Sequence, residues 1–333
     1  RGVLSASQNN ARYLKNGDVV EVAGEELLAS AVPVDFFQAF AFEALPNRDS
    51  LKYSEMYSIP EARSLYRGTL RFQGFSAIMN QFRQMGLLNT NKAVLPGSLK
   101  CPSTWRQLMQ SNLVKFTGDT AWCDETLACL KYLGVFSDAS LSRKRGWAVA
   151  DEFCGLIESK LSYLPGERDM VAMHHKIGVT MPDGRTQTRT CSFVGYGQVD
   201  GPTIMASTVG LTAAAGAHLV LTGSLTNQGV MTPTTSQVYT PALELLRKEG
   251  IKFVEEIIGH DKTNDADPLA TAFSKAHSKN ADVKMPQDNS KSPLIDRNTP
   301  LFDRNTRVAH RSAVQQRIWP FVTANPHLDG HQD

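Results

Sequence analysis

The sequence predicts an α/β domain, of the α+β kind with a mixed sheet, interrupted by an inserted all-helical subdomain. Short alternating segments lie at both ends of a block with helical periodicity. Between two of the later segments, Met181-Pro182-Asp183-Gly184-Arg185 carries strong turn chemistry, which predicts a hairpin. With 41% hydrophobic residues in 333, the chain is long and apolar enough to bury a real core.

Taken in order, Val3 to Leu14 reads as a helix closed at Gly17, followed by the strand Val19 to Val22 and a short helix around Glu25 to Leu28. Phe40 to Leu45 and Leu65 to Phe72 are expected to be extended. Phe75, Ile78, Met79, Phe82 and Met85 recur three or four apart, so they form one helix face that Gly86 can close. Further helices are expected around Trp105 to Met109, Thr126 to Leu133 and Trp147 to Leu161. Met170 to Val179 and Thr186 to Tyr196 are the hairpin strands, expected to rejoin the first sheet. Met205 to Leu221 is a helix of small residues, Thr240 to Glu249 another with Pro241 at its first position, and Ile251 to Ile257 a closing strand. Residues 1–72 and 165–261 are thus expected to form one discontinuous α/β domain, and 73–164 the helical insertion. Residues 262–333 are polar, nearly repeat LIDRNT as LFDRNT, and are expected to be a disordered tail whose only anchors are Ile318, Trp319 and Phe321.

Charge excludes some functions. The balance of 35 basic against 33 acidic residues, a net +2, lacks the footprint of a nucleic-acid binder. No apolar stretch reaches the roughly 18 residues of a membrane span, the longest candidate from Val209 to Thr222 being broken by His218 and glycines. Neither nucleic acid nor membrane is therefore expected as a partner. The five cysteines, Cys101, Cys123, Cys129, Cys154 and Cys191, fall in no metal-ligand spacing and read as buried free thiols, so no metal site is expected. The chain opens on Arg1 with residues typical of a helix interior, which reads as a fragment or a processed product.

The most informative residues are arginines. Pro46-Asn47-Arg48-Asp49-Ser50 and Arg67-Gly68-Thr69-Leu70-Arg71 bring two guanidinium forks to neighbouring strands, and such a fork grips a planar carboxylate with paired donors. A substrate with several carboxylates is the expected ligand, with solvated surface arginines as the bland alternative. Asp49 is read either as orienting a neighbouring arginine or the substrate amine, or as a local cap. Lys52, Tyr53 and Tyr57 are possible edges of the pocket. His174 and His175 should face opposite sides of their strand, and His218 reads as a packing or interface histidine.

The run PNRDSLKYSEMYSIPEARSLYRGTLRFQGF resembles the saccharopine dehydrogenase family, in its L-glutamate-forming branch. The likeness runs from Arg1 to about Ile258 through VVEVAGEELL, WRQLM, GERDMVAMHHK and MASTVGLTAAA. The central part resembles most the dehydrogenase half of the animal bifunctional members, for which DFFQAFAFEALPNRDSLKYSEMY is an especially close echo. The resemblance implies that Arg48, Thr69, Leu70 and Arg71 line the saccharopine site. It implies a reaction in which NAD or NADP and water convert saccharopine to L-glutamate and 2-aminoadipate 6-semialdehyde in lysine metabolism. The family's Rossmann domain, with its glycine-rich phosphate loop, has no counterpart here, so no tight binding of NAD or NADP by this chain alone is expected. No catalytic acid or base is assigned. Thr203 stands where the family pattern has serine and Ser207 where it has lysine, a loss that bears on activity if that lysine serves the chemistry or a cofactor contact. The implied partners are saccharopine, an upstream Rossmann domain and, left open, a second copy in a homodimer. A mitochondrial address is implied if the chain derives from the animal bifunctional enzyme, a cytoplasmic one otherwise. The competing reading is a carboxylate-binding or dimerising module without redox activity.

Overall fold

The computed structural model describes residues 2–91, 102–113, 124–142 and 148–261. Expectations about the tail, Cys101, Cys123 and Trp147 lie outside these residues. The described chain runs α1 (Gly2–Ala6), β1 (Ala11–Lys15), β2 (Asp18–Val22), a 3-10 turn (Leu28–Ser30), β3 (Val32–Val34), β4 (Phe42–Pro46), α2 (Lys52–Met56) and β5 (Gly68–Phe72). Four helices follow: α3 (Phe75–Gln84), α4 (Trp105–Leu113), α5 (Asp124–Leu133) and α6 (Val149–Leu161). The last part is β6 (Met170–Thr180), β7 (Thr186–Tyr196), α7 (Ile204–Leu221), α8 (Ser236–Lys248) and β8 (Val254–Asp261).

The α+β class stands, with one change of plan. Among the described residues the strands form three antiparallel sheets, β1-β2, β3-β4-β5 and β6-β7-β8, rather than one shared sheet. Alternation tells which face of a strand is apolar, not which strand lies beside it. Here the outer side of β7 is taken by β8, which arrives from far along the chain. The β1-β2 ribbon meets the second group through isolated bridges from Arg12 to Asp49 and from Leu14 to Leu65, and through Tyr13, which lies edge to face with Tyr66.

The opening corrects the sequence reading most. Residues 11–15 are strand, not helix, because Ala11 and Tyr13 are buried at alternate positions. Asn16-Gly17 turns the chain with φ of 54° and 95°, the positive pair that a two-residue hairpin needs. The expected helix at 25–28 is a turn leading into the 3-10 segment. Helix α8 begins a turn earlier than expected, which puts Pro241 inside it rather than at its first position.

The helical block has the predicted face. Ile78, Met79, Phe82 and Met85 are buried together with Leu108, Met109, Leu130, Leu133 and Phe153, and this core also takes in Leu4, Leu28 and Leu45. Phe82 and Phe153 meet edge to face, 5.2 Å between centroids, a geometry worth about 0.5–1.5 kcal/mol beyond the area buried. Leu45 belongs to β4, so the sheet that carries the arginines rests directly on the helices.

Helix α7 corrects the membrane argument. Its 18 residues have a mean hydropathy of 1.6, enough by length and composition to cross a membrane, and only 11% of the window is buried. The sequence reading stopped short because it began the stretch at Val209 and counted the glycines and His218 as breaks. The helix packs against α8, with Ala215 and Leu219 covered, while Met205, Val209, Val220 and Leu221 stay exposed.

Candidate carboxylate-binding site

Strands β4 and β5 pair antiparallel, with Glu43 opposite Arg71, Leu45 opposite Thr69 and Pro46 opposite Gly68. Side chains alternate along a strand, so Thr69 and Arg71 share the face of Glu43, Leu45 and Asn47, while Leu70 and Phe72 point the other way. Asn47 Nδ2 donates to Thr69 Oγ1 at 3.0 Å, which ties the two motifs together. Leu70 therefore offers a site on the Thr69 face only its backbone.

The Arg48 turn is held by its neighbours. Ser50 is buried, and its Oγ accepts from Arg67 N at 3.0 Å. Arg48 O accepts from Arg12 N and Arg12 O from Ser50 N, both at 2.9 Å. Asp49 plays two of the expected parts: its Oδ1 caps Leu51 N at 2.9 Å, and its Oδ2 takes a hydrogen bond from Arg12 Nη2 at 2.8 Å. That bond from Arg12 holds the Asp49 carboxyl below the usual range. What remains is the Arg48 side chain, exposed and without a hydrogen bond or ion pair among the described residues, on a backbone at φ 55°. Non-glycine residues rarely adopt that conformation, and it is found preferentially at ligand sites.

Arg71 is half-buried. Its Nη1 donates to Leu70 O at 3.1 Å and its guanidinium lies over the Phe75 ring at 5.3 Å, with no carboxylate partner among the described residues. Burial pulls its pKa below the ordinary arginine value. Glu43, directly across the ladder, does not pair with it. The Glu43 carboxylate instead accepts from Gly74 N at 3.2 Å and Ser76 N at 2.7 Å, at the positive end of α3. A partly desolvated cation without an anion favours capture of one from solution.

Sequence reasoning missed Asn47, Glu43 and Phe75 as parts of this arrangement. Asn47 stood in the quoted motif but was given no role. The other two depend on register, which no spacing within a strand reveals. The structure places His174 and His175 on opposite faces of β6, as expected: His174 meets Ser192 and Phe36, while His175 is exposed beside Phe253. Tyr53 and Tyr57 stack on each other at 5.6 Å, with Lys52 and Arg67 over Tyr53. His218 is exposed on α7, so of its two readings packing within the chain does not hold.

A dinucleotide does not fit the two junctions where a strand leads into a long helix. At α3 the first-turn amides are filled by Glu43, and at α7 the amides of Ile204 and Met205 donate to Asp169 at 2.7 and 2.9 Å. A diphosphate would have to displace a carboxylate already in place. An open polar depression of about 550 Å³ lies on the α7–α8 connection, lined by Ser224, Thr226, Asn227 and Gln237 and by no charged group among the described residues.

The saccharopine dehydrogenase C-terminal domain family matches residues 1–251, which include Arg48, Thr69, Leu70 and Arg71. The chain belongs to that family. Among its relatives, this saccharopine dehydrogenase C-terminal domain is 34% identical over 275 residues to the saccharopine dehydrogenase (NADP(+), L-glutamate-forming) of Saccharomyces cerevisiae, covering 78% of this chain and 60% of that protein. It is 36% identical over 269 residues to the mitochondrial alpha-aminoadipic semialdehyde synthase of Mus musculus, covering 76% of this chain and 28% of that one. The apo saccharopine dehydrogenase structure from Saccharomyces cerevisiae superposes with a TM-score of 0.69 at 33% identity, over 78% of this chain and 61% of the yeast chain. The chain spans about three-fifths of the length of the yeast relative.

Proposed function

We propose that this chain is the substrate-binding portion of a saccharopine dehydrogenase, and that Arg48, Thr69, Leu70 and Arg71 take saccharopine. The observation that carries this reading is Arg71, a half-buried cation on a strand with no anionic partner among the described residues. Arg71 and Arg48 take carboxylates, Thr69 adds a hydroxyl fixed by Asn47, and the Leu70 backbone lines the strand. The domain division follows the same reading, with 1–72 and 165–261 as the substrate domain and 73–164 as the helical insertion.

The yeast relative's name carries NADP(+), and in the full reaction NAD or NADP accepts hydride from saccharopine, while water releases L-glutamate and 2-aminoadipate 6-semialdehyde. The dinucleotide belongs to a Rossmann domain elsewhere in a longer protein. This chain's residues bind and orient the carboxylates. A mitochondrial address follows for a protein of the animal bifunctional type, whose mouse member is named mitochondrial.

Titration calorimetry of the 333-residue chain with saccharopine, and with glutamate and lysine separately, tests the assignment. Saccharopine should bind more tightly than either half, and Arg48→Ala and Arg71→Ala should each weaken it. Equal binding of all three ligands, or no effect of either substitution, rejects the proposal.

A further inference from the structure

His174 joins two sheets that share no strand. It stands on β6 with Nδ1 2.8 Å from Ser192 Oγ, its direct partner on β7. Its ring stacks on Phe36, with centroids 4.2 Å apart and planes 13° from parallel, and Phe37 meets it edge-on at 5.7 Å. Both phenylalanines belong to the connection between β3 and β4. From there rings run into the arginine sheet: Phe37 reaches Phe40 and Phe42, Phe40 stacks on Phe42 at 5.1 Å, and Phe42 lies 4.8 Å from Phe72. Phe72 is the residue after Arg71. Phe37 has φ 63°, a left-handed conformation that a bulky side chain keeps only when its surroundings enforce it.

We propose that His174 is a positioning residue of the carboxylate site: its neutral ring clamps the 35–41 loop, the loop's rings brace the β4–β5 pair that carries Thr69 and Arg71, and protonation releases the clamp. Only the binding half of this statement rests on the functional reading above.

The charges around the ring set the direction of the switch. Asp35 faces it from the loop, His175 and Lys176 lie next to it on β6, and Glu256 stands on β8 in the same cross-strand row as Lys176 and Thr190. Burial against the phenylalanines, followed by the repulsion of His175 and Lys176, holds the His174 pKa below its usual value, and Asp35 offsets only part of this. A charged ring must recover water, because among the described residues no carboxylate touches it to replace the lost hydration. The folded pKa lies below the unfolded one. The clamp is therefore fully formed above about pH 6.5 and is lost as the pH falls through the folded value.

The test uses the whole chain, its His174→Phe variant, which keeps a flat ring but cannot titrate, and its His174→Ala variant. Backbone amide exchange of residues 36–41, corrected for intrinsic rates, is followed between pH 8 and pH 5 together with saccharopine affinity. Wild type should show severalfold faster corrected loop exchange, and weaker binding, at the acid end than at pH 8, because the charged ring releases the loop. His174→Phe should be flat in both, and His174→Ala fast and weak throughout. An unchanged acid response in His174→Phe, or none in wild type, overturns the proposal. If wild type binds no saccharopine at any pH, the functional reading fails and loop exchange alone decides the clamp. Should His174→Phe not fold, proton NMR of wild type replaces it: the His174 ring proton should leave its ring-shifted position on titration, and a shift that stays put refutes release.

Discussion

Replacing Arg71 separates binding from stability. The guanidinium is half-buried, donates to a single backbone carbonyl and has no carboxylate partner among the described residues, so the fold gains little from its charge and bears a desolvation cost. For the ligand the balance reverses. A hydrogen bond to a charged group is worth about 1.5–3 kcal/mol, so Arg71→Ala should weaken saccharopine binding about 10- to 150-fold. Arg71→Lys should retain part of this, because lysine keeps the charge and loses the planar fork. Arg71→Met keeps the stem over Phe75, and its urea unfolding free energy should match or exceed wild type by up to about 2 kcal/mol while binding is lost. Calorimetry with saccharopine and urea melts of the same three variants give both numbers. Unchanged affinity in Arg71→Ala would refute the site. A destabilisation of Arg71→Met beyond about 1 kcal/mol would instead show that the cation is a structural element.

Other consequences are open to direct measurement. Asp169→Ala strips the carboxylate from two amides of α7 and should cost about 1–3 kcal/mol in urea melts, with no loss expected if that helix end is already hydrated. Glu43→Gln removes a charge from the start of α3 and should cost about 0.5–1 kcal/mol, whereas Glu43→Ala should cost about 1–3, and equal effects would contradict the role given to the helix dipole. Burial pushes the Cys129 thiol up to about 12, so at pH 8 a thiol reagent should label it only as fast as the protein unfolds. Native-state labelling of Cys129 at the rate of a free thiol would show that the α3–α6 core opens far more readily than its packing suggests.

The parts legible in the sequence were those governed by local chemistry. The Asp183-Gly184 hairpin and the α3 face at Phe75, Ile78 and Phe82 follow from turn residues and period, and both stand where expected. The Asn16-Gly17 turn was equally local, but Gly17 was read as the close of a helix begun at Val3 and Leu4 and carried through the residues of β1 to Leu14. Partnership between strands was not legible, because β8 reaches β7 only through the tertiary fold. At the site, Arg48, Thr69 and Arg71 were visible as residue types. That Glu43 sits across from Arg71 and turns to α3 instead of pairing with it depends on register and on where a helix starts.

Gly197 and Asp169 impose an order on what this sequence can become. A Cβ at Gly197 would overlap Asp169 Oδ1 and come within 3.1 Å of Ile204 N, the same amide that the carboxylate caps. Any side chain at 197 must therefore displace the cap, and while Asp169 is in place such a change carries both the clash and the loss of the α7 cap. Loss of Asp169 first removes the carboxylate part of the obstruction at the cost of the cap alone. The two positions are open to drift along one route and nearly closed along the other. Descendants with a larger residue at 197 should thus already lack the aspartate, a dependence that neither position shows when substituted alone.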